Sequence, residues 1–267
     1  MGELVFIGLG LYDEQGLSLR AQTEARTCEH VFLELYTSVM PGLNIDRLSQ
    51  AVGRPVEILT RKDVEEFAQE KILSKASRGK VAFLVPGDPM VATTHVDLRL
   101  RAERAGVGTR IIHGASIASA AAGITGLQSY KFGRTITIPV TASNELPESS
   151  YRATKANFDA GLHTLALLEV DVENHRWVTI PQALKQLHAA SIRASDRFVS
   201  PETLAVGLAR LEAPDMIVHA APVSDLIGMD FGEPPHCFIL PGKLHFVEAE
   251  ALQQFCGARK ELVDVSK

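Results

Sequence analysis

Two short turns hold the residues of this chain whose types and spacing could do chemistry. The first, Gly8–Asp13 (GLGLYD), and the second, Pro86–Val91 (PGDPMV), each follow an apolar run. Glycines let a backbone approach a ligand closely, and two prolines make a rigid turn that presents Asp88. A Gly-Asp turn alone is more often structural than catalytic, so the two turns together favour a ligand site.

The first turn is similar to the dinucleotide fingerprint GxGxxG. Its third glycine is missing because Asp13 stands there. The next helix is predicted over 18–28, so it begins five residues after Asp13. No phosphate cradle at a helix N-terminus is therefore expected. Nicotinamide binding is therefore disfavoured, while a plain structural turn stays an alternative.

Two further segments could contribute to a site. Residues 114–123 (GASIASAAAG) are small enough for a flat ligand to come close, although Ser116 could serve only as a helix N-cap. Residues 234–243 (PPHCFILPGK) place His236 at the entrance to a strand, where a satisfied structural histidine is the alternative.

Other chemistries lack their motifs. The sequence has no HExxH, GxSxG or GxxxxGK[ST] pattern, and its nine histidines are scattered. Three cysteines that form no CxxC pair make a disulfide framework or a zinc cluster improbable. No metal is expected, and a reaction driven by positioning a reactive cofactor is favoured.

Composition indicates a folded, soluble protein. Of 267 residues, 46% are apolar and 22% charged, and the net charge of −5 argues against broad nucleic-acid binding. The first residues lack a basic region typical of a signal peptide. The longest small and apolar stretch, 115–127, is too short to span a membrane. A cytoplasmic location is expected.

The first part of the chain alternates β-rich and helical patterns. A helix over 60–79 is predicted to open with a capping box of Thr60 and Asp63. Alternating strands and helices predict a parallel sheet with flanking helices. The five predicted strands cover 4–9, 31–36, 56–59, 81–85 and 109–113.

The second part has a different pattern. Strands at 204–211 and 216–220 are close enough in sequence to form an antiparallel hairpin, which predicts a mixed sheet with helices. The expected division is an N-terminal α/β lobe, 1–114, and a C-terminal α/β lobe, 115–267. Further strands are predicted at 135–138, 165–170 and 237–240, and helices at 151–160, 181–190 and 245–255.

Several segments together resemble the tetrapyrrole methylase family, two-lobed α/β enzymes that use S-adenosylmethionine. The similarity is greater to its diphthine synthase branch. Where many members have Pro-Gly-Asp, this chain has Leu11-Tyr12-Asp13, which points away from porphyrinoid substrates. The segments that carry the resemblance are FIGLGLYDE at the start, ELYTS around Tyr36, LVPGDPMVATTH at 84–95, IHGASIASAAAGITGLQSYKFG at 112–133, GLHTLALLEV at 161–170 and DFGEPPHCFILPGKLHFVEAE at 230–250.

The resemblance implies a homodimeric class III methyltransferase that binds S-adenosylmethionine in a cleft between its lobes and releases S-adenosylhomocysteine. It assigns no catalytic side chain. The implied cofactor contacts are Leu11, Asp88, Val91, Ser116 and Ile117 in the first lobe and Leu168, Leu211 and His236 in the second.

The implied reaction is trimethylation of an amino group on translation elongation factor 2. That amine belongs to a 3-amino-3-carboxypropyl arm on a histidine, and the product is diphthine, on the route to diphthamide. Tyr12, Tyr36 and Tyr130 are candidates to face the methylated ammonium, and packing is the alternative for each. A same-fold methyltransferase for a cobalamin or sirohaem precursor, or a binding module without activity, are the other hypotheses.

Overall fold

A computed structural model describes residues 2–141, 143, 145–172 and 174–263. Met1 and residues 264–267, at the ends of the two expected lobes, lie outside the described residues. The contacts within the chain divide it into two compact units, Met1–Ile117 and Ala118–Lys267.

The first unit contains the predicted parallel sheet. Its five strands lie in the order β3-β2-β4-β1-β5, and all their pairings are parallel. The expected fold class is confirmed for this unit. The elements are β1 (Glu3–Gly8), α1 (Leu19–Arg26), β2 (His30–Glu34), α2 (Ile45–Val52), β3 (Val56–Leu59), α3 (Arg61–Glu65), α4 (Ser74–Ala76), β4 (Lys80–Val85), α5 (His95–Arg104) and β5 (Gly108–Ile112).

The continuous apolar runs of the central strands arise because both faces of this sheet are buried. Along β1, Leu4 and Phe6 pack with helices α3 and α5 on one face, while Val5 and Ile7 pack with α1 and α2 on the other. Two hydrophobic cores therefore hold one sheet between them, and the strand ends are fixed in place.

The prediction of a single helix over 60–79 is wrong in the middle of that range. The Thr60–Asp63 capping box is present, and α3 begins as expected. The chain then forms a wide π-helical turn, Gln69–Leu73, before α4. Val64, Ala68 and Ile72 are buried at a spacing of four residues. At 3.6 residues per turn each such step drifts by about 40° around the helix, and a wider turn offsets part of that drift.

The second unit contains the predicted mixed sheet. Its strand order is β11-β10-β12-β7-β6, in which β6 pairs parallel to β7 and the other pairs are antiparallel. The predicted hairpin is confirmed as β10 and β11. The elements are α6 (Ile117–Thr125), which begins at the unit boundary, β6 (Ile136–Ile138), α7 (Glu148–Asp159), β7 (Thr164–Leu168), β8 (Val170–Asp171), β9 (Arg176–Trp177), α8 (Ile180–Arg193), β10 (Leu204–Ala209), β11 (Ile217–Pro222), α9 (Val223–Ile227), β12 (His236–Leu240) and α10 (Phe246–Cys256).

Two features of the second unit were not predicted. Strands β8 and β9 form a ribbon of only two residues each, and α9 has only five residues after Pro222. Strands of two residues and a helix of five are too short for a hydrophobic pattern to repeat clearly, so periodicity does not reveal them.

A close approach of three backbone segments fixes the carboxyl edge of the parallel sheet. A Cβ atom added at Gly8 would lie 2.5 Å from the nitrogen of Gly114 and 2.5 Å from the carbonyl oxygen of Gly87. Gly87 itself has φ of +68°, a conformation that glycine adopts without strain. The ends of β1, β4 and β5 are therefore in contact through positions that hold no side chain.

We predict that Gly8→Ala lowers the free energy of unfolding by about 1–3 kcal/mol, because the added methyl meets backbone that cannot rotate away. Chemical denaturation followed by circular dichroism measures this. The matched control is Gly108→Ala in β5, whose added Cβ has its nearest neighbour at 3.9 Å. Equal stability of the two variants would contradict the role given to the glycine contact.

Candidate active site

The turns after β1 and β4 are held together by a pair of backbone hydrogen bonds. Gly10 N–H donates to the carbonyl of Gly87 at 3.3 Å, and Gly87 N–H donates to the carbonyl of Gly10 at 2.7 Å. The two turns that the sequence singled out thus form one structure. It lies at the carboxyl edge of the sheet, where open α/β sheets bind their ligands.

Asp88 is presented by this structure and is already anchored. Its side chain is only 6% exposed. Oδ1 accepts a hydrogen bond from Met90 N–H at 2.9 Å, and Oδ2 lies 2.7 Å from Nδ1 of His113. The His113 side chain is 71% exposed. A buried carboxylate at this edge therefore contacts an exposed imidazole.

A buried histidine binds the backbone of the turn that carries Asp88. His95 is 1% exposed, and its Nδ1 donates to the carbonyl of Pro89 at 3.1 Å. Thr93 Oγ1 donates to the same carbonyl at 2.7 Å. The Tyr36 hydroxyl donates to Nε2 of His95 at 3.4 Å. Burial lowers the pKa of His95 to about 4, so its ring is neutral at neutral pH.

Glu34 completes this buried polar group. It is fully buried and accepts hydrogen bonds from the backbone N–H groups of Tyr36 and Thr37, both at 3.0 Å, and from the Thr37 hydroxyl. Burial raises the pKa of Glu34 and of the Tyr36 phenol. These interactions fix the loop after β2 under the Asp88 turn.

The five site residues expected in the first unit all lie at its carboxyl edge. They follow β1 (Leu11), β4 (Asp88 and Val91) and β5 (Ser116 and Ile117), which are neighbouring strands. Ser116 is buried, Leu11 and Ile117 are half-buried, and Val91 is 38% exposed. The structure therefore brings these five positions together.

The three residues expected in the second unit also share one edge. Ala209 pairs with His236, and Cys237 pairs with Leu167, which places His236 beside Leu168 when the register continues. Leu211 follows β10 by two residues. Each of the three is 5–7% exposed. Leu211 lies between Arg210 and Glu212, both with left-handed backbone, so the chain turns sharply there.

His236 is unusual because neither of its buried ring nitrogens has a hydrogen-bond partner among the described residues. Burial, and then the nearby Arg210 guanidinium, lower the pKa of His236. That guanidinium is itself satisfied: it donates to the carbonyls of Phe231 and Glu233 and to Asp215. The loop before β12 is held firmly, while the imidazole that follows it is left unsatisfied.

The three candidate tyrosines have different surroundings. Tyr36 is buried against His95, as described. Tyr12 packs on Gly42, where an added Cβ would lie 2.5 Å from the ring. Tyr130 is 78% exposed. Packing and hydrogen bonding thus account for Tyr36 and packing for Tyr12.

Sequence analysis did not single out His113 or assign a role to His95. His113 ends the predicted fifth strand, but its partner Asp88 follows the fourth, and only the strand order shows that both reach one edge. A signal for His95 is its place in the sequence, six residues after Pro89 and close to the second glycine turn.

The described residues contain no group of three or more histidine, cysteine or acidic side chains placed to hold a metal ion. Within the same part of the chain, no helix is both long and apolar enough to cross a membrane. Cys28, Cys237 and Cys256 are buried and free. Burial raises the pKa of the Cys28 and Cys256 thiols to about 11 and that of Cys237 to about 12.

Comparison with known proteins assigns this chain to a family of methylases. Residues 3–201 match the family model described as Tetrapyrrole (Corrin/Porphyrin) Methylases. Diphthine synthase of Methanothermobacter thermautotrophicus is 42% identical over 262 residues, 98% of each chain. That of Methanocella arvoryzae is 42% identical over 256 residues, 96% of this chain and 99% of its own.

A solved structure supports the same grouping. The crystal structure of a diphthine synthase aligns with a TM-score of 0.87 and 36% identity over 98% of both chains. The chain therefore belongs to the tetrapyrrole methylase family and, within it, to the diphthine synthases.

Proposed function

We propose that this protein is a diphthine synthase in activity as well as in family. It transfers methyl groups from S-adenosylmethionine to the amino group of the 3-amino-3-carboxypropyl arm on a histidine of translation elongation factor 2, and three transfers give diphthine. The observation that carries the proposal is the buried Asp88 carboxylate, presented where three turns converge in a chain 42% identical to diphthine synthases.

The residues present fit this cofactor. S-adenosylmethionine is cationic at sulfur, and a buried carboxylate such as Asp88 favours a nearby cation. The half-exposed Val91 offers an apolar contact beside it. His236 provides ring nitrogens that have no hydrogen-bond partner in the described part of the chain, which is the state expected of a side chain that binds a polar ligand.

The cofactor contacts that we propose lie in both units, and each unit contributes its own set. They are Leu11, Asp88, Val91, Ser116, Ile117, Leu168, Leu211 and His236.

When bound, the cofactor supplies a methyl group activated by its sulfonium. The protein binds the cofactor, orients the acceptor in line and excludes water. Correct orientation of reactants can account for about 7–11 kcal/mol of a barrier. The rigid Asp88 turn suits this task, because Met90, His113 and His95 hold it at three points.

The substrate class follows from the relatives. The family name covers porphyrin and corrin methylases, whereas the two relatives described above are diphthine synthases. Nothing in the comparisons supports a cobalamin or sirohaem precursor as the substrate. We also propose a homodimer in the cytoplasm that uses neither nucleic acid nor membrane as a partner, and sedimentation equilibrium tests the dimer.

The first prediction is that the protein transfers labelled methyl groups from S-adenosylmethionine to elongation factor 2 that carries the unmethylated arm. Mass spectrometry of the modified peptide should show additions of one, two and three methyl groups. Uroporphyrinogen should receive none. Methylation of the porphyrinogen and not of the factor would contradict the proposed substrate.

The second prediction concerns the charge of Asp88. Asp88→Asn keeps the size of the side chain and removes the negative charge, so we expect the Kd for S-adenosylmethionine to rise at least tenfold in titration calorimetry, about 1.4 kcal/mol. Asp97→Asn is the matched control, since Asp97 is an exposed residue of α5 paired with Arg101. Unchanged affinity in both Asp88→Asn and Asp88→Ala would rule out this role.

The third prediction concerns His236. His236→Phe keeps a ring of similar shape and removes two buried nitrogens without partners, so the free protein should be as stable as the parent or more stable. The same variant should bind S-adenosylmethionine more weakly. A histidine with a purely structural role would give the opposite pair of results, a loss of stability with affinity preserved, in thermal unfolding and calorimetry.

A further inference from the structure

We propose that His113, held by Asp88, accepts the proton that the substrate amine must lose before each methyl transfer. This inference rests on the proposed methyltransferase function and adds to it a residue that neither the motifs nor the relatives assign. It is argued from the geometry of one side-chain pair within the first unit.

The pair has the arrangement of a histidine oriented by an acid. Nδ1 of His113 lies 2.7 Å from Oδ2 of Asp88, and the carboxylate is fixed in turn by Met90 N–H. Nδ1 donates in this bond, because a carboxylate only accepts. In the neutral ring Nε2 is then the nitrogen that can accept a proton.

The burial of the two side chains differs sharply. The Asp88 carboxylate is 6% exposed, whereas the His113 side chain is 71% exposed. The carboxylate is therefore sheltered, while the imidazole is presented outward. This difference in exposure suits transfer of a proton from a ligand to Nε2, with the carboxylate stabilising the imidazolium.

The position of His113 is also fixed by the backbone. It is the first residue after β5, and the next residue is Gly114, which contacts Gly8 and Gly87. The imidazole is therefore held at the same carboxyl edge as the proposed cofactor contacts. Among the described residues, Asp88 is the acidic side chain that contacts the His113 ring.

The chemistry requires that the substrate amine lose a proton before it reacts. An aliphatic amine is mostly protonated at neutral pH and then has no lone pair to attack. The ammonium gives one proton to Nε2; the freed lone pair forms the new N–C bond as the C–S bond breaks, and the sulfonium becomes a neutral thioether. The imidazolium returns its proton to water. The first and second products, again ammonium ions, each lose a proton in the same way, and the third has none to lose.

Two substitutions separate proton transfer from simple positioning. His113→Asn keeps a donor close to the place of Nδ1, so it can still hold Asp88, but it has no nitrogen that accepts a proton. His113→Ala removes the ring and leaves space for free imidazole. The control is His30→Asn, an exposed histidine at the amino end of the same sheet, on β2.

Single-turnover methylation of elongation factor 2 with the unmethylated arm is the assay, at saturating S-adenosylmethionine. We expect His113→Asn to bind S-adenosylmethionine within threefold of the parent and to transfer methyl about 100-fold more slowly. Added imidazole should raise the rate of His113→Ala at least tenfold and leave His113→Asn unchanged. His30→Asn should match the parent.

A His113→Asn rate within threefold of the parent would overturn the proposal, because holding Asp88 would then be sufficient. A folded His113→Ala that imidazole does not accelerate would overturn it as well. Failure of the proposed function looks different: the unaltered protein itself would transfer no methyl group to the factor, whatever the state of His113.

Discussion

Contact between three backbone segments at Gly8, Gly87 and Gly114 is the constraint on which the first unit depends. No side chain larger than hydrogen fits at Gly8 or Gly114. Because the strand ends touch there, the turn after β4 projects Asp88 over the edge of the sheet, and the end of β5 brings His113 to meet it. Packing of main chain against main chain thus determines where the charged groups lie.

The second unit positions its proposed cofactor residue, His236, in a different way. Arg210 satisfies its guanidinium with Asp215 and with backbone carbonyls of the loop that precedes β12. That loop leads to His236, whose ring nitrogens have no hydrogen-bond partner among the described residues. Leaving a buried polar group unsatisfied costs about 1–3 kcal/mol, and a bound ligand would recover it. The stability of the free protein is therefore lowered at His236, where cofactor binding is proposed.

Much of this architecture could be predicted from patterns. Continuous apolar runs reveal strands buried on both faces, and the spacing of two glycine-rich turns reveals a common edge. The Asp88–His113 pair could not be predicted in this way, because it depends on β1 lying between β4 and β5, an order that no local pattern encodes. The wide turn at Gln69–Leu73 could not be predicted either, because its residues continue a helical pattern without a glycine or proline to mark the change.

The buried cysteines have a practical consequence. Thiol reagents attack thiolates, and Cys28, Cys237 and Cys256 are both sheltered and held as thiols by their raised pKa. We therefore expect the natural cysteines of the folded protein not to react with maleimide dyes. A single cysteine introduced at an exposed surface position would be the one reactive handle, so a fluorophore could be attached there without first removing the natural cysteines.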